Sequence, residues 1–73
     1  MFIVIEIQTY NDGNVGTIVN SYASQNQADS KFFSILAAAA LSDVPIHAAA
    51  ILTAEGRMVR FESYNHNQNN EEE

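Results

Sequence analysis

Residues 24–41 read SQNQADSKFFSILAAAAL, and this stretch decides the fold. Ser24 with Gln27 three residues on forms a capping box, in which the hydroxyl accepts from the Gln27 amide and the Gln27 side chain reaches back. Ala28, Phe32, Ile35, Leu36 and Ala39 recur at helical spacing on one face. Asp29 lies near the positive end of such a helix, where an acid is favoured. The alanines at 37–40 have the highest helix propensity. Phe33, Ala37 and Ala40 widen the apolar surface beyond one stripe, and Ser42, Asp43 and Pro45 stop the pattern. The spacing predicts one helix, from about Gln25 to Leu41, with strand-like chain on both sides.

Upstream, Phe2 to Thr9 alternates Ile3, Ile5 and Ile7 with Val4, Glu6 and Gln8, the period of a half-buried strand. Asn11-Asp12-Gly13-Asn14 suits a tight turn, and a second strand follows to about Ala23. With Asp12-Gly13 as a two-residue turn, Ile7 faces Ile18 and Ile3 faces Tyr22, so Ile3, Ile5, Ile7, Ile18 and Tyr22 share a face. Downstream, a third strand runs from about Pro45 to Thr53, Glu55-Gly56 turns the chain, and a fourth strand runs from Arg57 to Tyr64. This register pairs Leu52 with Val59, Ala50 with Phe61, Ile51 with Arg60, Ala49 with Glu62 and His47 with Tyr64. The first and third strands are the most apolar and belong in the middle; the more polar second and fourth suit the edges. The expected fold is α+β, two-layer β-β-α-β-β, with a four-stranded antiparallel sheet in the order 2-1-3-4 and one helix on one face.

Seventy-three residues allow a single domain, expected over residues 1–64. Asn65 to Glu73 reads NHNQNNEEE, which has nothing to bury and is expected to be a polar, acidic, disordered tail. Nine acidic residues against three basic ones give a net charge of −6. That argues against a nucleic-acid partner, whose affinity rests on Lys and Arg, and against an anionic membrane surface. No cysteine is present, which removes disulfides and thiolate metal sites. The opening MFIVIEIQTY lacks a basic region and is interrupted by Glu6 and Gln8, so no leader is expected and the cytoplasm is the default location.

Glu6 to Thr9, the turn with Gly13, Ser30-Lys31-Phe32, Ala37 to Ala40, Val44 with His47-Ala48-Ala49, Leu52-Thr53 with Gly56, and Glu62 to His66 together resemble a group of short proteins of gut-type bacteria and their phages. The resemblance covers roughly residues 3 to 66. It implies a small β-β-α-β-β protein without an assigned activity, and none of its motifs is a catalytic signature.

Candidate chemistry is sparse. His47, Tyr64 and His66 with Glu62 are the weak ligand or metal candidates, although no pair has a close helical ligand spacing. Lys31 beside Asp29 and two phenylalanines reads as a snorkelling lysine rather than a catalytic one. Arg57 and Arg60 suit an anion, but a pairing of Arg60 with Glu62 or Glu6 accounts for Arg60 without a ligand. Gly13, Gly16 and Gly56 belong to turns rather than to a phosphate loop, and Ser21, Ser30 and Ser34 have structural explanations. No catalytic residue, cofactor or metal is expected.

A lone helix covers only one sheet face. The other is expected to display Phe2, Val4, Tyr10, Val19, Ile51 and Tyr64 among Glu6, Gln8, Arg60 and Glu62. Phe33, Ala37, Ala40 and Leu41 give the helix a second apolar surface. A symmetric dimer is the simplest cover for such a face, and Ile51→Glu is the substitution expected to dissociate it. The leading expectation is therefore a non-enzymatic homo-oligomeric interaction or structural module, with a phage or prophage accessory protein that binds another protein, of host or phage, as its setting. A ligand binder or small enzyme with a site at a subunit boundary, and a nucleic-acid-binding protein, are the alternatives.

Overall fold

A computed structural model describes residues 1–66. The element order is β1 (Phe2–Thr9), β2 (Val15–Tyr22), α1 (Gln25–Ala40), β3 (Ile46–Thr53) and β4 (Met58–Asn65). The strands form one antiparallel sheet in the order β2-β1-β3-β4, and α1 lies across one face. The chain is thus an α+β protein of the expected topology.

The helix starts where its sequence dictates. Ser24 is extended at φ −116° and its Oγ accepts from the Gln27 amide at 3.2 Å, satisfying one of the orphan donors of the first turn. At the other end the amides of Leu41 and Ser42 donate to Ala38 and Ala39, both at 3.2 Å, and helical geometry stops one residue short of the expected end.

The hairpin loops differ from expectation in a way that controls everything else. The Tyr10 amide donates to the Asn14 carbonyl at 2.9 Å and the Gly13 amide to the Tyr10 carbonyl at 3.0 Å. The loop is therefore Asn11-Asp12-Gly13, three residues long, with Gly13 at φ +90°, where a side chain is strained. One extra loop residue shifts the register by one: Ile7 pairs with Thr17 and Ile3 with Ser21, rather than with Ile18 and Tyr22.

The β3–β4 loop has the same build, with Thr53 bonded to Arg57 at 2.9 Å and Gly56 at φ +90°. There a bulge between Ile51 and Leu52 absorbs the extra residue, so that Leu52 pairs with Met58 instead of Val59. Beyond it the pairs Ile51–Arg60, Ala50–Phe61, Ala49–Glu62 and His47–Tyr64 stand as expected.

Loop length also decides which sheet face meets the helix. Adjacent antiparallel pairs alternate between bonded and non-bonded. The Tyr10–Asn14 bond makes the even residues of β1 and β2 the mutually bonded set. For L-residues, the side to which a residue's N–H and C=O point fixes the face on which its side chain stands. The β2–α1–β3 connection joins two parallel strands across β1, and such crossovers are right-handed. Together these place the even residues of β1 under the helix. Val4, Ala28, Phe32, Ile35, Ala49 and Ile51 form the core, with Phe2, Tyr22 and Leu36 packed against it. Ile3, Ile5 and Ile7, expected in the core, stand on the opposite face.

The domain also extends past Tyr64. β4 includes Asn65, the His66 amide donates to the Pro45 carbonyl at 2.7 Å, and His66 Nε2 donates to the Ala39 carbonyl at 2.9 Å. The rest of the expected tail, residues 67–73, lies outside the described residues.

Candidate functional site

Among the described residues nothing covers the face of the sheet away from α1. Across the strands its rows are Val19–Ile5–Ala50–Phe61, Ser21–Ile3–Leu52–Met58, Thr17–Ile7–Ala48–Ser63 and Val15–Thr9–Ile46–Asn65. Phe61 is 65% exposed and Val19 60%, and Val15 and Met58 are also open, while Ile3, Ile5 and Ile7 are half-buried by their neighbours on the pleat. No row contains an Asp, Glu, Lys or Arg. The charged side chains of the described residues lie in the loops, on the helix, or on the helix side of the sheet. An antiparallel sheet with one solvated face normally alternates apolar-in with polar-out. Here the alternation is inverted, with the isoleucines out and Glu6 and Gln8 in.

Beneath the helix those polar groups form a connected set. Glu6 Oε2 accepts from His47 Nε2 at 2.7 Å and from Gln8 Nε2 at 2.9 Å, and the Tyr10 hydroxyl donates to Gln8 Oε1 at 2.6 Å. Burial works against the charged Glu6 carboxylate. The bonds from His47 and Gln8, with the electrostatic pull of His47 and Lys31, more than offset this and hold its pKa below the usual carboxylate value. His47 is buried, and its Nδ1 has no hydrogen-bond partner among the described residues. This layer carries polar side chains where the sheet rows opposite carry aliphatic ones.

The weak ligand candidates do not converge. His47 is committed to Glu6, and Tyr64, its cross-strand neighbour, stacks on His66 with ring centroids 6.1 Å apart. Arg60 lies over the rings of Phe32 and Phe33, at 5.9 and 5.3 Å, with its Nε 3.7 Å from Asp29 Oδ1. Its partner is thus Asp29 rather than Glu62 or Glu6. Glu62 is exposed. Among the described residues no three His, Asp or Glu side chains gather as metal ligands.

The interface candidates separate into two groups. Val19 lies on the bare face, and Phe33 and Ala37 are exposed on α1, with the Phe33 ring beside Arg60 of β4. Tyr10 is 42% exposed at the hairpin end and is bonded to Gln8. Phe2 packs on the core, and Val4 and Ile51 are fully buried beneath the helix, so their expected place on the open face is corrected. Ile51→Glu would bury an unpaired carboxylate and unfold the subunit instead of separating an assembly. Sequence reasoning missed Ile3, Ile5, Ile7, Leu52, Met58 and Phe61 as open-face residues. The signal available was parity: whichever set holds Ile3, Ile5 and Ile7 also holds Ala50 and Phe61 and excludes every charge.

No helix among the described residues is long and apolar enough to cross a membrane. No protein-family model matches the chain, and neither a curated protein nor a solved structure matches it.

Proposed function

We propose that the chain is a small, non-enzymatic, self-associating module whose uncovered sheet face is its contact surface, and that the occupant of that face is a second copy. The observation that carries this reading is the row Val19–Ile5–Ala50–Phe61, apolar from one sheet edge to the other and free of charge. Two copies of a chain with net charge −6 repel each other, and a face without ionisable groups is where they meet at least cost.

Area supports the same occupant. Four strands of eight residues present a face of about 26 Å by about 19 Å, or roughly 500 Å². Stacking two such faces removes about 1,000 Å² in total, the lower bound for a specific interface. Two sheets stacked face to face also form a sandwich with a core about 10 Å thick, which a single helix-backed sheet lacks on this side.

Sedimentation equilibrium over a dilution series tests the reading. The expected result is a mass at least twice the 8.1 kDa of the chain at micromolar concentration, falling toward the chain mass on dilution. A constant 8.1 kDa across the series contradicts it.

A further inference from the structure

The two edges of the sheet are built differently. β4 carries a bulge at its start, with Arg60 and Glu62 along its length. Bulges and charges are the devices by which proteins keep edge strands from pairing with other chains. β2, VGTIVNSY, has neither: its register with β1 runs without a shift from Tyr22 to Val15, and it holds no charged residue and no proline. It is also apolar on both sides at its middle. Val19 points to the bare sheet face, while Ile18, on the helix side, is 53% exposed. Stacking of the bare faces leaves Ile18 in water.

The unpaired backbone groups of β2 can be identified. The even residues Gly16, Ile18, Asn20 and Tyr22 bond to β1, because they continue the bonded set begun at Tyr10–Asn14. The N–H and C=O groups of Val15, Thr17, Val19 and Ser21 therefore point away from the sheet. Under a two-fold axis perpendicular to the sheet at Ile18, Thr17 of one copy meets Val19 of the other and Val15 meets Ser21. Every outward group then finds a partner. Ile18 faces its own copy in a close non-bonded pair, which brings the two exposed side chains together.

We propose that β2 is a second contact surface, pairing antiparallel with β2 of another copy to make a continuous eight-stranded sheet with both helices on one side. This rests on the self-association reading for the identity of the partner, but it stands on backbone groups and on Ile18, which the sheet-face contact does not use. The axis of the edge contact is perpendicular to the sheet, and that of the face contact lies parallel to it. The two combine into a closed assembly of four chains, two eight-stranded sheets stacked on their bare faces.

Sedimentation and amide exchange of the full chain test this. The wild type is expected at four times 8.1 kDa, with the Thr17 and Val19 amides slowed on the order of a hundredfold relative to an open edge. Ile18→Lys, which places like charges across the axis, and Thr17→Pro, which removes an outward donor and no bond to β1, are each expected to halve the mass. Phe61→Glu, on the far strand and the other face, is expected to halve the mass while those amides stay slow. Fast exchange of the Thr17 and Val19 amides in the assembled wild type, or an unchanged mass in Ile18→Lys, overturns the edge contact. An unchanged mass in Phe61→Glu, with the amides protected, overturns the sheet-face reading alone.

Discussion

Truncating Phe61 to alanine isolates the sheet-face contact from the fold of the subunit. Phe61 is 65% exposed, and a phenylalanine presents about 200 Å², so roughly 130 Å² stands in water in the single chain. The alanine retains a small part of that contact, which leaves about 100 Å² lost per copy. At ~25 cal/mol per Å² the loss is about 2.5 kcal/mol per copy. A two-fold interface loses it twice, for about 5 kcal/mol in all. The dissociation constant for each sheet-face contact should therefore rise by between about a thousandfold and about ten-thousandfold. The same substitution touches no core side chain, so unfolding of the dissociated subunit should change by no more than about 0.5 kcal/mol. Sedimentation equilibrium gives the first quantity, and urea unfolding at a concentration below dissociation gives the second. A dissociation constant within threefold of wild type refutes the reasoning. So does a loss of subunit stability of several kcal/mol, which would place Phe61 in the core.

Three further outcomes follow from the layer beneath the helix and from the turns. The Glu6 pKa is held below its ordinary value of 4.5, so its ionised form stabilises the fold above that value, and this contribution is lost as pH falls through the depressed folded value. Acid unfolding of Glu6→Gln should accordingly be less pH-dependent below 4.5 than that of wild type, and parallel curves contradict the pairing with His47. Ser24→Ala removes the bond to the Gln27 amide and should cost about 1 kcal/mol in urea unfolding, with no change in the assembled mass. Gly56→Ala must place a side chain at φ +90° and should cost about 1 kcal/mol or more, although nothing crowds the site, and an unchanged midpoint contradicts the three-residue loop.

How far the sequence could be read depended on the signal. The helix was legible because its start has a capping residue and its apolar positions fall on a 3.6-residue period. Strand order was legible because β1 and β3 hold the aliphatic runs and β2 and β4 the polar ones. The choice of face was not legible. Asn11-Asp12-Gly13-Asn14 supports a two-residue turn at Asp12-Gly13 or a three-residue turn ending at Gly13, since glycine accepts positive φ in either. The two loops put opposite parities of β1 against the helix. Counting hydrophobic side chains then favours the wrong one, because Ile3, Ile5 and Ile7 are greasier than Val4, Glu6 and Gln8. In the second hairpin the same ambiguity at Glu55-Gly56 was hidden by the bulge, which restores beyond Ile51 the pairing that a shorter loop would give.

The polar layer on the helix side, buried at His47 and part-buried at Glu6 and Gln8, was missed for a related reason. His47 lies 39 residues from Gln8 and 41 from Glu6 in the sequence, and only the β1–β3 register sets Gln8 opposite His47 with Glu6 next on the same face. Periodicity alone reads such residues as solvent-facing. Their hydrogen bonds to one another make their burial tolerable, with His47 Nδ1 alone in the set left without a partner among the described residues. That burial also leaves the isoleucines of β1 for the other side of the sheet.

The central claim, that the bare face is filled by a second copy, is tested most directly by an isotope-filtered nuclear Overhauser experiment on a mixture of labelled and unlabelled chains. The account predicts intermolecular contacts from the Ile5 and Ile7 methyl groups to the Phe61 ring and the Ala50 methyl. Their absence in a sample whose relaxation reports assembled chains, or contacts confined to Phe33 and Ala37 on the helix, would contradict it.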